Sequence, residues 1–327
     1  MSELHKFLFD GLPVRGSIVR LTDAWQEVLQ RRASNTTMTG YPAPVVELLG
    51  EMTAAGVLMQ SNIKFDGALV LQVFGDGPVK VAVVEVQPDM AFRTTASVMG
   101  EVPADATLST MVNQNNEGRC AITLDPKTKF PGQQAYQGVV PLHGDKREKL
   151  EKVSDVLQHY MLQSEQLDTL LVLAADDKTA AGLLIQRLPA KGEGNLAAGA
   201  QANEDGIGIN EDYNRIAHLA STLKREELLS LDVDTILRRL FWEEQVLMFT
   251  PHIGATAPRF HCTCSRERVG AMIQSLGREE VESILAERKD VEVGCEFCGQ
   301  MYWFDAVDAA QLFVEPDVTL PGPSSVQ

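Results

Sequence analysis

Two stretches near the C-terminal end decide how this sequence is read: "FHCTCSRERVG" at 260–270 and "GCEFCGQMYWF" at 294–304. They carry Cys262, Cys264, Cys295 and Cys298, four of the five cysteines in the chain. The pattern is C-x-C, the thirty residues 265–294, then C-x2-C. Residues 291–293 and 301–304 read as strands flanking the second pair, so a hairpin knuckle can aim both sulfurs at one point. Four thiolates make a closed tetrahedral Zn²⁺ site with no position left for a reacting water. Such a metal is structural or regulatory, and zinc hydrolysis is disfavoured. His252 and His261 are spare ligand candidates that read as ordinary surface histidines. Cys120, in "GRCAITLDP", has no partner in sequence and reads as a strand core residue.

The segment around these cysteines suggests a role for the metal. Helices are expected over 267–276, with Val269, Met272, Ile273 and Leu276 inside, and over 279–286, with Val281, Ile284 and Leu285. A unit spanning 251–313 has a thin core, so bound metal must supply much of its stability. Structural zinc contributes about 10–16 kcal/mol of apparent binding energy that appears as folding energy. If an oxidant takes the thiolates, the metal leaves and the cysteines can pair in three ways. A bridge within either local pair restrains the unfolded chain by only about 1.6 kcal/mol. Local bridges would also leave the two halves of the site untied. Oxidation would then melt the small unit and loosen whatever packs on it.

Composition narrows the alternatives. At 327 residues with 44% hydrophobic content, the chain can bury real cores and suits two units with a linker. A net charge of −16 repels phosphate backbones and anionic membrane surfaces. Glu3 and Asp10 interrupt the apolar N-terminal stretch, and no apolar run reaches the length of a membrane span. The expected location is a reducing compartment, the cytoplasm, where clustered thiols bind metal or do redox work.

Upstream, residues 1–189 read as a layered α+β domain of β/α/β type with a buried helix. "LPVRGSIVRL" (12–21) is expected as a strand with Gly16 inside it, and Thr22 and Asp23 as the cap of the next helix. Residues 42–60 are apolar on nearly all sides apart from Glu47 and Glu51, the pattern of a helix covered on more than one face. Gly75-Asp76-Gly77 marks a hairpin between two β-rich runs. Strands are expected at 120–124, 170–174 and 181–188, and a helix over 146–162. The Gly- and Ala-rich stretch after Pro189 reads as flexible, and helical pattern resumes over 211–223 and 224–249. Residues 190–250 are thus a linker, flexible and then helical. Residues 251–313 form the small C-terminal zinc-binding domain, and 314–327 a disordered tail. The run over 224–249 has a large apolar face with no core of its own, including Leu228, Leu229, Leu237, Leu240, Phe241 and Trp242.

At this point the residues resemble a known family. "FHCTCSRERV", "SLGREEVESILAE" and "VEVGCEFCGQMYWFDAVD" are similar to the C-terminal redox switch of the heat-shock protein 33 family of redox-regulated chaperones. "LHKFLFDGLPVRGSIVRLTDAW", "IKFDGALVLQVFGDGPVKVAVVEV" and "YQGVVPLHGD" resemble its N-terminal domain, and "LKREELLSLDVDTILRRLFWEEQV" its linker. The resemblance implies a reduced form that holds one Zn²⁺ on Cys262, Cys264, Cys295 and Cys298 and is inactive. It implies disulfides Cys262–Cys264 and Cys295–Cys298 on oxidation, zinc release, linker unfolding and homodimerisation. The opened protein would hold unfolding client proteins without ATP until a foldase chaperone system takes them. Clients are expected on the exposed linker and on the face it covered, first at Leu228, Leu229, Leu237, Leu240, Phe241 and Trp242.

Two other classes compete. A thiol-disulfide oxidoreductase using Cys295 and Cys298 would place that pair at a helix start after a strand, not in a hairpin. A zinc-ribbon nucleic-acid-binding protein conflicts with the acidic balance. No catalytic triad or acid/base pair can be argued from spacing, so the chain is not read as an enzyme.

Overall fold

The computed structural model describes residues 1–34, 40–128, 135–188 and 210–313. The Gly- and Ala-rich stretch and the tail fall largely or wholly outside these residues. In chain order the elements are β1 (Glu3–Phe9), β2 (Val14–Leu21), α1 (Asp23–Ala33), α2 (Ala43–Asn62), β3 (Gly67–Phe74), β4 (Val79–Val86), β5 (Ala91–Val98), α3 (Leu108–Val112), β6 (Arg119–Pro126) and β7 (Tyr136–Pro141). Then come α4 (Val153–Glu165), β8 (Thr169–Ala175), β9 (Ala180–Arg187), α5 (Glu211–Ser221), α6 (Arg225–Ser230), α7 (Val233–Leu240), β10 (Val246–Met248) and β11 (Arg259–Phe260). The last are α8 (Arg266–Leu276), α9 (Arg278–Glu287), β12 (Val291–Gly294), β13 (Met301–Phe304) and α10 (Ala306–Leu312). The chain divides into two units, Met1–His261 and Cys262–Gln327.

The first unit is built from two sheets, ordered β10-β1-β2-β9-β8 and β11-β5-β4-β3-β6-β7. The expected hairpin at Gly75–Gly77 joins β3 to β4, with Leu71 opposite Val84. Helix α2 lies between the sheets, and two glycines let it approach both. A side chain at Gly50 would collide with Ala175 of β8, and one at Gly56 would press on Val84 and Val86 of β4. Its C-terminal carbonyls are met by cations. Lys6 Nζ donates to Ser61 O, and Arg15 Nη1 donates to Asn62 O at 3.1 Å. Positive charge at a helix C-terminus complements the macrodipole.

This apolar helix carries two carboxylates, Glu47 and Glu51, and the second is perturbed. Burial, opposed by Arg225 and reinforced by Glu47, pushes its carboxyl up to about 7, with Lys152 and Asp155 also facing it. A carboxyl whose folded value is raised binds its proton more tightly when folded. Stability therefore falls as pH rises from about 4.5 through 7, by roughly 3 kcal/mol in full. Glu51→Gln should raise the melting temperature at pH 8 and leave it unchanged near pH 4.5. Equal shifts at both pH values in a thermal melt would contradict this account.

The first sheet is covered on both faces. Alternate residues of its strands, Phe7, Phe9, Val14, Ile18, Leu183 and Ile185, face away from α2 and form one core with α5, α6 and α7. The Phe7 ring lies across Gly16 on the neighbouring strand, leaving no space there for a Cβ. Phe241 packs edge-on against Phe9 at 4.9 Å between ring centres. Two arginines fasten the helices. Arg20 of β2 donates to Leu229 O (3.1 Å) and to Leu231 O. Arg225 of α6 donates to Ala175 O and pairs with Glu47 at 2.8 Å.

Several expected elements are corrected. The helix expected over 224–249 is two helices and a strand. Asp232 interrupts it by accepting from the Thr235 backbone N–H at 2.9 Å, an N-cap that starts α7 afresh. Farther on, β10 pairs with β1. The helix expected over 146–162 starts at Val153, because residues 142–150 fold back on themselves through a His143–Lys149 bridge and a Leu150 N–Leu142 O hydrogen bond. Thr22 occupies the N-cap of α1, but its side chain accepts no cap hydrogen bond. Asp23 instead receives the Ser2 N–H and hydroxyl, each at 2.6 Å. Residues 251–261 pack with the first unit, where β11 runs parallel to β5.

Candidate metal centre

The second unit holds the cysteine-bearing segments on a small frame. Its core is Val269, Ile273, Val281, Val291, Phe304 and Ala309. Met272 and Leu276, expected inside, are exposed, because a unit this small has nothing to cover the far side of α8. Cys262 and Cys264 lie in the extended segment that leads into α8, whose N-cap Ser265 accepts from Arg268 N–H. Cys295 and Cys298 form the turn between β12 and β13. Cys295 N–H donates to Gln300 O (2.9 Å) and Gly299 N–H to Cys295 O (2.8 Å). Gly299 has φ +73°, a left-handed conformation that favours glycine at this tight turn.

Arg266 joins the two halves. It donates to Trp303 O at 2.8 Å, pairs with Asp308 at 2.7 Å and lies 4.3 Å over the Phe304 ring. The result is convergence of all four sulfurs, each within 4.8 Å of the others. Cys262 Sγ lies 3.6 Å from Cys295 Sγ, and Cys264 Sγ lies 3.3 Å from Cys298 Sγ. A tetrahedron with Zn–S bonds of about 2.3 Å has sulfurs roughly 3.8 Å apart, close to this spacing.

The protonation pattern tests the fit. Accepting from Cys295 pushes the Cys262 thiol down to about 4. Cys295 is pushed up by that same hydrogen bond, and Cys298 by burial to about 11. Sulfurs this close cannot all ionise unless a cation neutralises them. A soft divalent ion with tetrahedral preference meets that need, and the donor set suits Zn²⁺.

His252 and His261 lie outside the cluster, which among the described residues contains only the four cysteines. His252 exchanges backbone hydrogen bonds with Leu4, and the His261 side chain is exposed. Cys120 is buried in β6, and burial pushes its thiol up to about 12, which makes it inert. Of the candidate client-binding residues, Leu228, Leu237, Leu240 and Phe241 are buried in the core under α5–α7, and Leu229 packs at its margin. Trp242 is 76% exposed.

Sequence reasoning missed Tyr302, whose hydroxyl donates to Cys264 Sγ at 3.1 Å. Its signal was present: Tyr302 follows the second pair by four residues, on a strand that must run beside the sulfurs. The reasoning also missed Arg20, which no local pattern could pair with carbonyls 209 and 211 residues away.

Known proteins share both the sequence and the fold. A family profile described as "Hsp33 protein" matches residues 2–305. The 33 kDa chaperonin of Chromobacterium violaceum is 45% identical over 311 residues, covering 95% of this chain and 93% of its own. That of Methylobacillus flagellatus is 42% identical over 320 residues, covering 98% and 96%. The crystal structure of the 33 kDa chaperonin from Thermotoga maritima superposes with a TM-score of 0.70, at 19% identity, over 95% of this chain and 97% of that one. Among the described residues no helix is long and apolar enough to cross a membrane. With the profile spanning nearly the whole sequence and close relatives matched end to end, this chain belongs to the Hsp33 family.

Proposed function

We propose that the protein is a redox-regulated holdase chaperone rather than an enzyme, working in the cytoplasm and held inactive by Zn²⁺ on Cys262, Cys264, Cys295 and Cys298. The observation that carries this reading is the convergence of four sulfurs from segments thirty residues apart within a unit whose buried core is six side chains. A metal bound there ties both halves together and supplies most of the unit's stability.

Oxidation removes that tie. Hypochlorous acid transfers its chlorine to one thiolate, giving a sulfenyl chloride and hydroxide. A second thiolate displaces chloride, a disulfide forms, and two electrons pass from sulfur to chlorine. With Cys262–Cys264 and Cys295–Cys298 joined, no cross-link between the halves remains and the metal departs. In the folded site, however, sulfurs of opposite halves are already in contact, Cys262 with Cys295 at 3.6 Å and Cys264 with Cys298 at 3.3 Å. Crossed bridges would keep the halves tied, so local pairing is required for opening.

Linker release follows. Helices α5, α6 and α7 have 11, 6 and 8 residues, too short to persist without packing. Their loss uncovers Leu228, Leu229, Leu237, Leu240 and Phe241, together with the strand residues beneath. Unfolding clients bind there, in a homodimeric form that later passes them to a foldase chaperone system. The knuckle position of Cys295 and Cys298 disfavours an oxidoreductase.

The test is to oxidise the full chain with hypochlorous acid at elevated temperature. Zinc release, aggregation of an unfolding client and disulfide connectivity are followed together. One zinc per chain should leave as light scattering by the client falls. Complete zinc loss without any gain in suppression would rule the function out.

A further inference from the structure

We propose that the Tyr302 hydroxyl, by donating to Cys264 Sγ, sets how fast the Cys262–Cys264 half of the metal site reacts with electrophiles and oxidants. The inference rests on the four-thiolate zinc reading and identifies a side chain outside the ligand set that governs how readily the site opens.

The geometry is specific. Tyr302 lies on β13 opposite Val293 of β12, and its ring packs against the small unit's core. That placement holds the hydroxyl 3.1 Å from Cys264 Sγ. Among the described residues Tyr302 supplies the side-chain hydroxyl that reaches a ligand sulfur. Cys295 and Cys298 are surrounded by the backbone N–H groups of their own turn. The four sulfurs are therefore inequivalent before any reagent arrives.

The chemistry follows from the lone pair. A thiolate bound to zinc remains a nucleophile, and its attack on hypochlorous acid or an alkyl halide uses the electron density that a hydrogen bond withdraws. A hydrogen bond to an ionised acceptor is among the strong ones. Partners beyond the ligand shell tune a metal site without touching the metal. The phenol thus shields Cys264 and slows the first step of opening at that half. Tyr302 is a positioning and tuning residue, since the metal and the oxidant never contact it.

The test uses the full chain, reduced and zinc-loaded, with iodoacetamide as the probe and mass spectrometry reading each cysteine separately. Tyr302→Phe keeps the ring and removes the donor. Its Cys264 should alkylate about 3- to 10-fold faster than in the wild type, while Cys295 and Cys298 change little. An unchanged Cys264 rate, or four rates rising together, overturns the proposal. In cobalt-substituted protein the sulfur-to-metal charge-transfer band of Tyr302→Phe should move to lower energy, which a merely structural hydroxyl would not cause. Should the phenylalanine variant fail to hold metal, 3-fluorotyrosine at 302, a stronger donor, decides the matter. It must slow Cys264, and an equal or faster rate overturns the idea. Zinc stoichiometry separates the two readings. A wild-type chain that binds no zinc sinks both, whereas unchanged rates with zinc in place sink this one alone.

Discussion

Ile236→Asp should yield a chain that suppresses client aggregation while fully reduced and still carrying its zinc. Ile236 is completely buried at the centre of α7, among side chains of the first sheet's outer face. A carboxylate there would sit among the apolar side chains of this core, and an uncompensated buried charge costs roughly 3–5 kcal/mol. The three covering helices cannot absorb that, because none is long enough to stand alone and all share one core. They should leave together. The change bypasses the cysteine cluster, so it separates the proposed switch from what that switch would control. Circular dichroism should report lost helix, and protease cuts should appear within 211–241. Client light scattering should fall without oxidant, with one zinc retained. A variant that loses these helices and still fails to protect the client would show that the uncovered face is not the binding surface.

Cys298→Ser should abolish tight zinc binding and unfold the second unit within the intact chain. Serine keeps the size of the side chain but gives up the thiolate, leaving three sulfurs for a tetrahedral ion. A structural zinc typically contributes about 10–16 kcal/mol, against which six buried side chains offer little. The outcome should be a fall of several orders of magnitude in zinc affinity against a chromogenic chelator. Resonances from residues 262–313 should also collapse toward unfolded positions. Full dispersion of those signals in a zinc-free variant would mean that the core holds the unit and the metal is an ornament.

How much of this was legible beforehand depended on the range of each cause. The four-cysteine cluster was readable because each pair is closely spaced in sequence. The hairpin knuckle was readable because its strands flank it directly. Helix α2 announced itself through an apolar surface all round, and Gly50 and Gly56 explain how it fits between two sheets. The helices over 211–240 were visible by period, but the break at Asp232 was not. A single capping residue inside an apolar run looks like a polar position on a continuous helix. Met272 and Leu276 follow helical spacing and yet stay exposed, since periodicity identifies a face and not what covers it. Arg20 lay beyond reach for another reason. It acts through hydrogen bonds to two carbonyls distant in sequence, and no local pattern encodes such a meeting.

The short strand β10 carries a consequence of its own. It is the outermost member of the first sheet, and it caps β1 with Phe7 opposite Met248 and Phe9 opposite Val246. The same stretch of chain runs on to β11 at the border of the other sheet, and Cys262 comes two residues later. Peeling this strap away would strip β1 of its neighbour and bare a row of amide and carbonyl groups. An extended chain of any sequence could then add itself as a new outer strand. Recognition by backbone alone would let one small protein hold many unrelated ones.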